Sequence, residues 1–150
     1  MGEGSAWKEA PQTPLEIGKA EKLLEGEKVA ILALGPVANR ALEAAMRLKE
    51  ESGLIPAVFN VRYLKPLDPQ MLCELPRFSN LITLEDGSLR GGLFSEVSEY
   101  VASKGLKASV KGFGLPDRFI AQGTVGEQRQ ECGLDAESIY LELVGIFKNN

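Results

Sequence analysis

Val29-Ala30-Ile31-Leu32-Ala33-Leu34, followed at once by Gly35-Pro36, decides the fold. Six apolar residues in unbroken succession are the pattern of a strand covered on both faces, as in the parallel sheets of α/β proteins. Gly35-Pro36 interrupts the run. Val37, Ala41, Leu42, Ala45 and Leu48 then recur at helical spacing, with Arg40, Glu43, Arg47 and Lys49 on the other side and Gly53 as a C-terminal stop.

The same alternation continues outward. Ala57–Val61 reads as a second strand; Asp68 is then placed to cap a short helix over Met71–Leu75 with Pro69 in its first turn. Leu81–Leu84 is a third strand, ending in Glu85-Asp86-Gly87. Gly91-Gly92 opens a helix carrying Phe94, Val97 and Val101 and closed by Gly105. Ala108–Phe113 is a fourth strand, Thr124–Cys132 a helix stopped by Gly133, and Asp135 caps a last helix with Ile139, Leu143, Ile146 and Phe147. Upstream, Ile17–Glu21 is a candidate edge strand and Glu25-Gly26-Glu27 a turn. Strand–helix units repeated every 25–30 residues or so predict a three-layer α/β/α sandwich with a mostly parallel, about five-stranded sheet. Residues 1–13 read as a disordered lead or expression remnant, and residues 14–150 as one domain.

Composition narrows the function. Hydrophobic residues make up 44% and charged residues 25% of the 150, as in a soluble globular domain. A net charge of −4 gives no basic footprint for nucleic acid or an anionic membrane. No apolar run approaches the roughly 20 residues of a membrane-spanning helix. Cys73 and Cys132 stand alone, and read as small packing residues in a reduced, cytoplasmic compartment. There are no histidines, so neither a histidine-based hydrolase triad nor a histidine zinc site can be assembled from this chain.

Four places invite a chemical reading. At Gly35-Pro36 the GxGxxG pattern of a dinucleotide loop is absent and Pro36 lacks an N–H donor, so a tight turn is the better reading. Gly91-Gly92 stands at a helix start, where free N–H groups favour anions, but close packing explains the glycines as well. Glu85 and Asp86 end a strand where open sheets place ligands, yet neighbours on an extended chain point to opposite faces. Arg62, Tyr63, Lys65 and Asp68, in Val61-Arg62-Tyr63-Leu64-Lys65-Pro66-Leu67-Asp68, suit either an interface or ion pairs that lock the loop within the domain. After the last strand, Gly114-Leu115-Pro116-Asp117-Arg118-Phe119-Ile120 places a cation, an anion and a large aromatic in one connection, and something must cover Phe119.

These segments also carry a resemblance. Ile17–Glu21 with the Val29–Gly35 strand, Val61–Asp68, Leu84-Glu85-Asp86 with Gly91-Gly92, and Gly114–Ile120 together resemble the C-terminal domain of the transketolase superfamily. Gly114–Ile120 is similar in particular to the 1-deoxy-D-xylulose-5-phosphate synthase family; the other segments also resemble 2-oxo acid dehydrogenase β subunits. The resemblance spans roughly residues 14–148. It implies a non-catalytic domain of a much longer thiamine-diphosphate- and Mg²⁺-dependent transferase, which joins a two-carbon unit from pyruvate to glyceraldehyde 3-phosphate early in isoprenoid biosynthesis. In that family the preceding domains hold the cofactor. No catalytic, cofactor or metal residue is therefore expected here, and the isolated chain is expected to be inactive. Arg62, Tyr63, Lys65, Asp68, Asp117, Arg118 and Phe119 become the candidate surface facing those domains or the mate of a homodimer. A dehydrogenase β-subunit domain and a stand-alone small-ligand-binding α/β module are the alternatives.

Overall fold

A computed structural model describes residues 18–85, 92–114 and 134–149. The lead at residues 1–13, the first part of the Ile17–Glu21 segment, Asp86–Gly91, the 124–132 helix, and Asp117, Arg118 and Phe119 all lie outside the described residues.

Five strands, β1 (Glu21–Leu24), β2 (Val29–Leu34), β3 (Ala57–Asn60), β4 (Asn80–Glu85) and β5 (Ser109–Gly114), form one sheet in the order β1-β3-β2-β4-β5. The β3-β2-β4-β5 pairs are parallel, and β1 adds an antiparallel edge against β3. The expected mostly parallel, five-stranded sheet is what forms. Helices α1 (Val37–Ser52), α2 (Pro69–Glu74), α3 (Leu93–Ser103) and α4 (Ala136–Lys148) cover it.

The unbroken apolar run of β2 is explained by two cores. Val29, Ile31 and Ala33 point into one, shared with Val58, Ile82, Leu84, α1 and the Ile139/Leu143 face of α4. Ala30 and Leu32 point into the other, with Phe59, Leu81, Met71, Leu75, Phe78, Leu93 and Val97. A strand alternates its side chains between faces, so burial of both faces requires apolar residues at every position. Phe59 and Phe78 meet edge to face at 6.5 Å in the second core.

Local signals place the helices. Gly53, at φ 78°, ends α1 with its N–H donated to the Lys49 carbonyl. This left-handed position favours glycine. Asp68 accepts the Gln70 N–H at α2, and Asp135 the Ser138 N–H at α4. The α1 stripe is narrower in bulk than the periodicity suggests: Ala38, Ala41, Ala44 and Ala45 are buried, whereas Leu42 is only half-buried. Small residues at these positions let α1 lie close to the sheet and α4. Cys73 also departs from expectation, since it is exposed on the side of α2 away from buried Met71 and Leu75.

Candidate functional site

The C-terminal ends of β2, β3, β4 and β5 lie along one edge of the sheet, where open α/β folds place their functional loops. The junction after β2 is a tight turn. Gly35 has φ 94°, and its carbonyl accepts from Ala38 N–H while that of Pro36 accepts from Asn39 N–H.

The loop after β3 is more unusual. Val61 N–H extends the sheet by donating to the Ala33 carbonyl at 2.8 Å, and Tyr63 N–H turns back to the Val61 carbonyl at 2.6 Å. Arg62, between them, has φ 63°. A three-residue turn with its centre in the left-handed region is rare and strained for a side chain other than glycine. The Arg62 guanidinium reaches Glu21 Oε1 on β1 at 2.7 Å, and Lys65 is 73% exposed, with Glu96 at 3.9 Å. Beside Lys65, Pro66, Leu67, Leu72 and Tyr100 floor a shallow groove of about 430 Å³ rimmed by Glu96 and Glu99.

Asp68 does not share this exposure. It is buried, and its two oxygens accept different backbone N–H groups: Oδ1 from Gln70 and Oδ2 from Ala20, both at 2.8 Å. Its contribution to any interface is the shape of the loop. The structure thus brings Arg62, Tyr63 and Lys65 together on one loop with Asp68 beneath them.

The anion-favouring helix start at α3 is filled from within. Glu85, buried at the end of β4, accepts the Leu93 N–H through Oε1 at 2.6 Å. Gly92, the residue preceding the helix, provides no side chain to cap it. A carboxylate from the strand thus complements the positive end of the helix. Burial pushes the Glu85 carboxyl above its ordinary range, and the Leu93 N–H pulls the other way. This role is missed when Glu85 is read as a ligand to metal or substrate. The available signal is a carboxylate at a strand end before a helix whose start lacks Ser, Thr, Asp or Asn. Among the described residues, no three His, Cys, Asp or Glu side chains converge to hold a metal ion.

The opposite edge holds an ion-pair network that sequence periodicity does not reveal. Lys22 meets Glu25 and Glu74, and Arg77 meets the same two carboxylates. Lys22 first, then Arg77, hold the Glu25 carboxyl down to about 2.

The left-handed Arg62 suggests a direct test. Arg62→Gly relieves strain of roughly 1 kcal/mol and forfeits an exposed ion pair of at most about 1 kcal/mol. Urea unfolding is expected to leave Arg62→Gly within about 1 kcal/mol of the parent. A larger loss would assign Arg62 to stability rather than to the surface.

Comparison with known proteins bears on the whole domain. The family model "Transketolase, C-terminal domain" matches residues 18–139. The 1-deoxy-D-xylulose-5-phosphate synthase of Bacteroides thetaiotaomicron is 40% identical over 139 residues, covering 92% of this chain and 21% of the synthase. That of Phocaeicola vulgatus is 41% identical over 148 residues, covering 97% and 23%. The chain therefore spans about a fifth of the length of these curated relatives. Among solved structures, a split-gene transketolase described as an inactive beta4 tetramer superposes with a TM-score of 0.76 at 32% identity, over 88% of this chain and 43% of that one. Transketolase from Campylobacter jejuni shares the fold at a TM-score of 0.57 and 17% identity, over 85% of this chain and 18% of that one. With a family match over most of its length and the sheet order and helical layers described above, the chain belongs to the transketolase C-terminal domain family.

Proposed function

We propose that this chain is the C-terminal, non-catalytic domain of a thiamine-diphosphate-dependent transferase of the 1-deoxy-D-xylulose-5-phosphate synthase type, which converts pyruvate and glyceraldehyde 3-phosphate into 1-deoxyxylulose 5-phosphate and CO₂. Its role is to support contacts with the preceding domains and within a homodimer in the cytoplasm. The observation that carries this reading is 40–41% identity to synthases over nearly the whole chain but only about a fifth of theirs. Arg62, Tyr63 and Lys65 form the described part of the contact surface, shaped by Asp68; Asp117, Arg118 and Phe119 are proposed to complete it. Among the described residues, no cluster of three or more ligating side chains supports a metal site in this chain. By the resemblance to the synthases, the cofactor and metal are assigned to the preceding domains, and no chemical step is assigned to this chain.

Two measurements test the reading. Calorimetric titration of the isolated chain with thiamine diphosphate and Mg²⁺ is expected to show no binding. Adding the chain to a synthase that lacks its own C-terminal domain is expected to restore CO₂ release from pyruvate and glyceraldehyde 3-phosphate. Tight cofactor binding by the chain alone, or failure to restore turnover, would sink the assignment.

A further inference from the structure

The start of β1 and the residues just before it are tied to the Arg62–Asp68 loop by two hydrogen bonds and lie beside Pro66. Ala20 N–H donates to Asp68 Oδ2 at 2.8 Å, across 48 positions of sequence. Glu21 holds the Arg62 guanidinium at 2.7 Å. Gly18, at φ 80°, stands near Pro66, and an added Cβ would meet Pro66 Cγ at 3.4 Å, an ordinary van der Waals distance. The Glu21–Asn60 pairing puts the start of β1 beside the C-terminal end of β3. Residues 18–20 therefore lie at the same edge of the sheet as Arg62 and Lys65.

We infer that the Arg62–Asp68 loop is a clasp that fixes the direction of the incoming chain, with Asp68 its positioning residue, and that the surface around Lys65 serves the body preceding residue 18 in the same polypeptide rather than the dimer mate. Two features support a clasp over ordinary packing. Asp68 is buried yet divides its oxygens between its own helix and a segment distant in sequence. Arg62, at φ 63°, directs its guanidinium to Glu21 on the incoming strand rather than to its own loop. Naming the same-chain body as partner rests on the proposed function; the clasp itself does not.

The clasp is tested in this chain by amide hydrogen exchange. Asn and Ser are good helix caps, so Asp68→Asn and Asp68→Ser retain an acceptor for Gln70 N–H. Neither supplies the second carboxylate oxygen needed by Ala20. Exchange at Ala20 is expected to rise at least tenfold in both variants, with Val29–Leu34 unchanged. Unchanged Ala20 exchange, or an equal rise throughout the sheet, would overturn the clasp. The partner is tested in the full-length polypeptide by replacing Lys65 with a photo-crosslinking residue. Monomer-sized protein whose digest contains peptides joining residue 65 to sequence preceding residue 18 is the expected result. Product of dimer mass overturns the same-chain assignment, and with no product of either kind the interface reading fails and the assignment with it.

Discussion

Gly26→Ala is expected to destabilise the domain by at least about 3 kcal/mol, lowering the melting temperature by roughly 6–12 °C. Gly26 is buried in the turn between β1 and β2. A Cβ there would lie 2.3 Å from the Ile55 oxygen, 2.3 Å from the Pro56 carbonyl carbon and 2.5 Å from Ala57 N. All three are backbone atoms, so no rotamer change relieves the clash; the start of β3 must move, and with it the pairing to β2. Glu27 N–H also donates to the Ile55 carbonyl at 2.8 Å, and Arg77 donates to the Gly26 carbonyl at 2.9 Å. Gly53→Ala is the control. Its φ is 78°, but nothing lies within 4 Å of the added carbon, so the expected loss is the left-handed strain alone, about 1 kcal/mol. Urea unfolding of both variants checks the contrast, and a Gly26→Ala loss as small as that of Gly53→Ala would refute the close approach.

Glu85 gives the second large effect. Removing its acceptor in Glu85→Ala leaves the Leu93 N–H unsatisfied in a buried setting and opens a cavity, with an expected loss of about 2–3 kcal/mol. Glu85→Gln keeps an acceptor and removes the charge that burial disfavours, so at neutral pH it is expected to match or exceed the parent. The pH dependence separates these causes. The folded-state pKa is raised, so between the unfolded and folded values the folded protein holds more protons than the unfolded chain. Stability from this group is complete below the ordinary carboxylate range and is lost as pH rises through the folded value. The stability of the parent minus that of Glu85→Gln should therefore fall from pH 4 to pH 8. Subtraction cancels the Glu25 carboxyl, whose lowered pKa contributes in the opposite direction. A flat or rising difference would refute the assignment.

The core was legible because it depends on local pattern. Val29–Leu34 could be covered only on both faces, and Gly53, Asp68 and Asp135 are helix-boundary residues whose short-range chemistry is self-contained. The candidate surface was legible only as a motif. That Arg62 would be left-handed, that Asp68 would reach Ala20, and that Glu85 would cap α3 across Asp86–Gly91 all depend on which strands become neighbours. Periodicity does not encode that neighbourhood. Cys73 shows the converse error: a residue type that is usually buried sits on a six-residue helix whose buried positions are taken by Met71 and, just beyond it, Leu75.

The antiparallel β1 also governs how this domain can be handled. Because β1 runs antiparallel to β3, residue 18 lies at the edge carrying Arg62 and Lys65, whereas α4 ends at the other edge, where Phe147 shares a groove with Glu25–Lys28 and Leu54. The two ends of the described fold therefore lie at opposite edges of the sheet. A label, surface tether or reporter fused after Lys148 would leave the proposed contact surface around Arg62 and Lys65 open. Gly18 lies at the edge of that proposed surface, so affinity assays on this domain call for immobilisation through the C-terminal end.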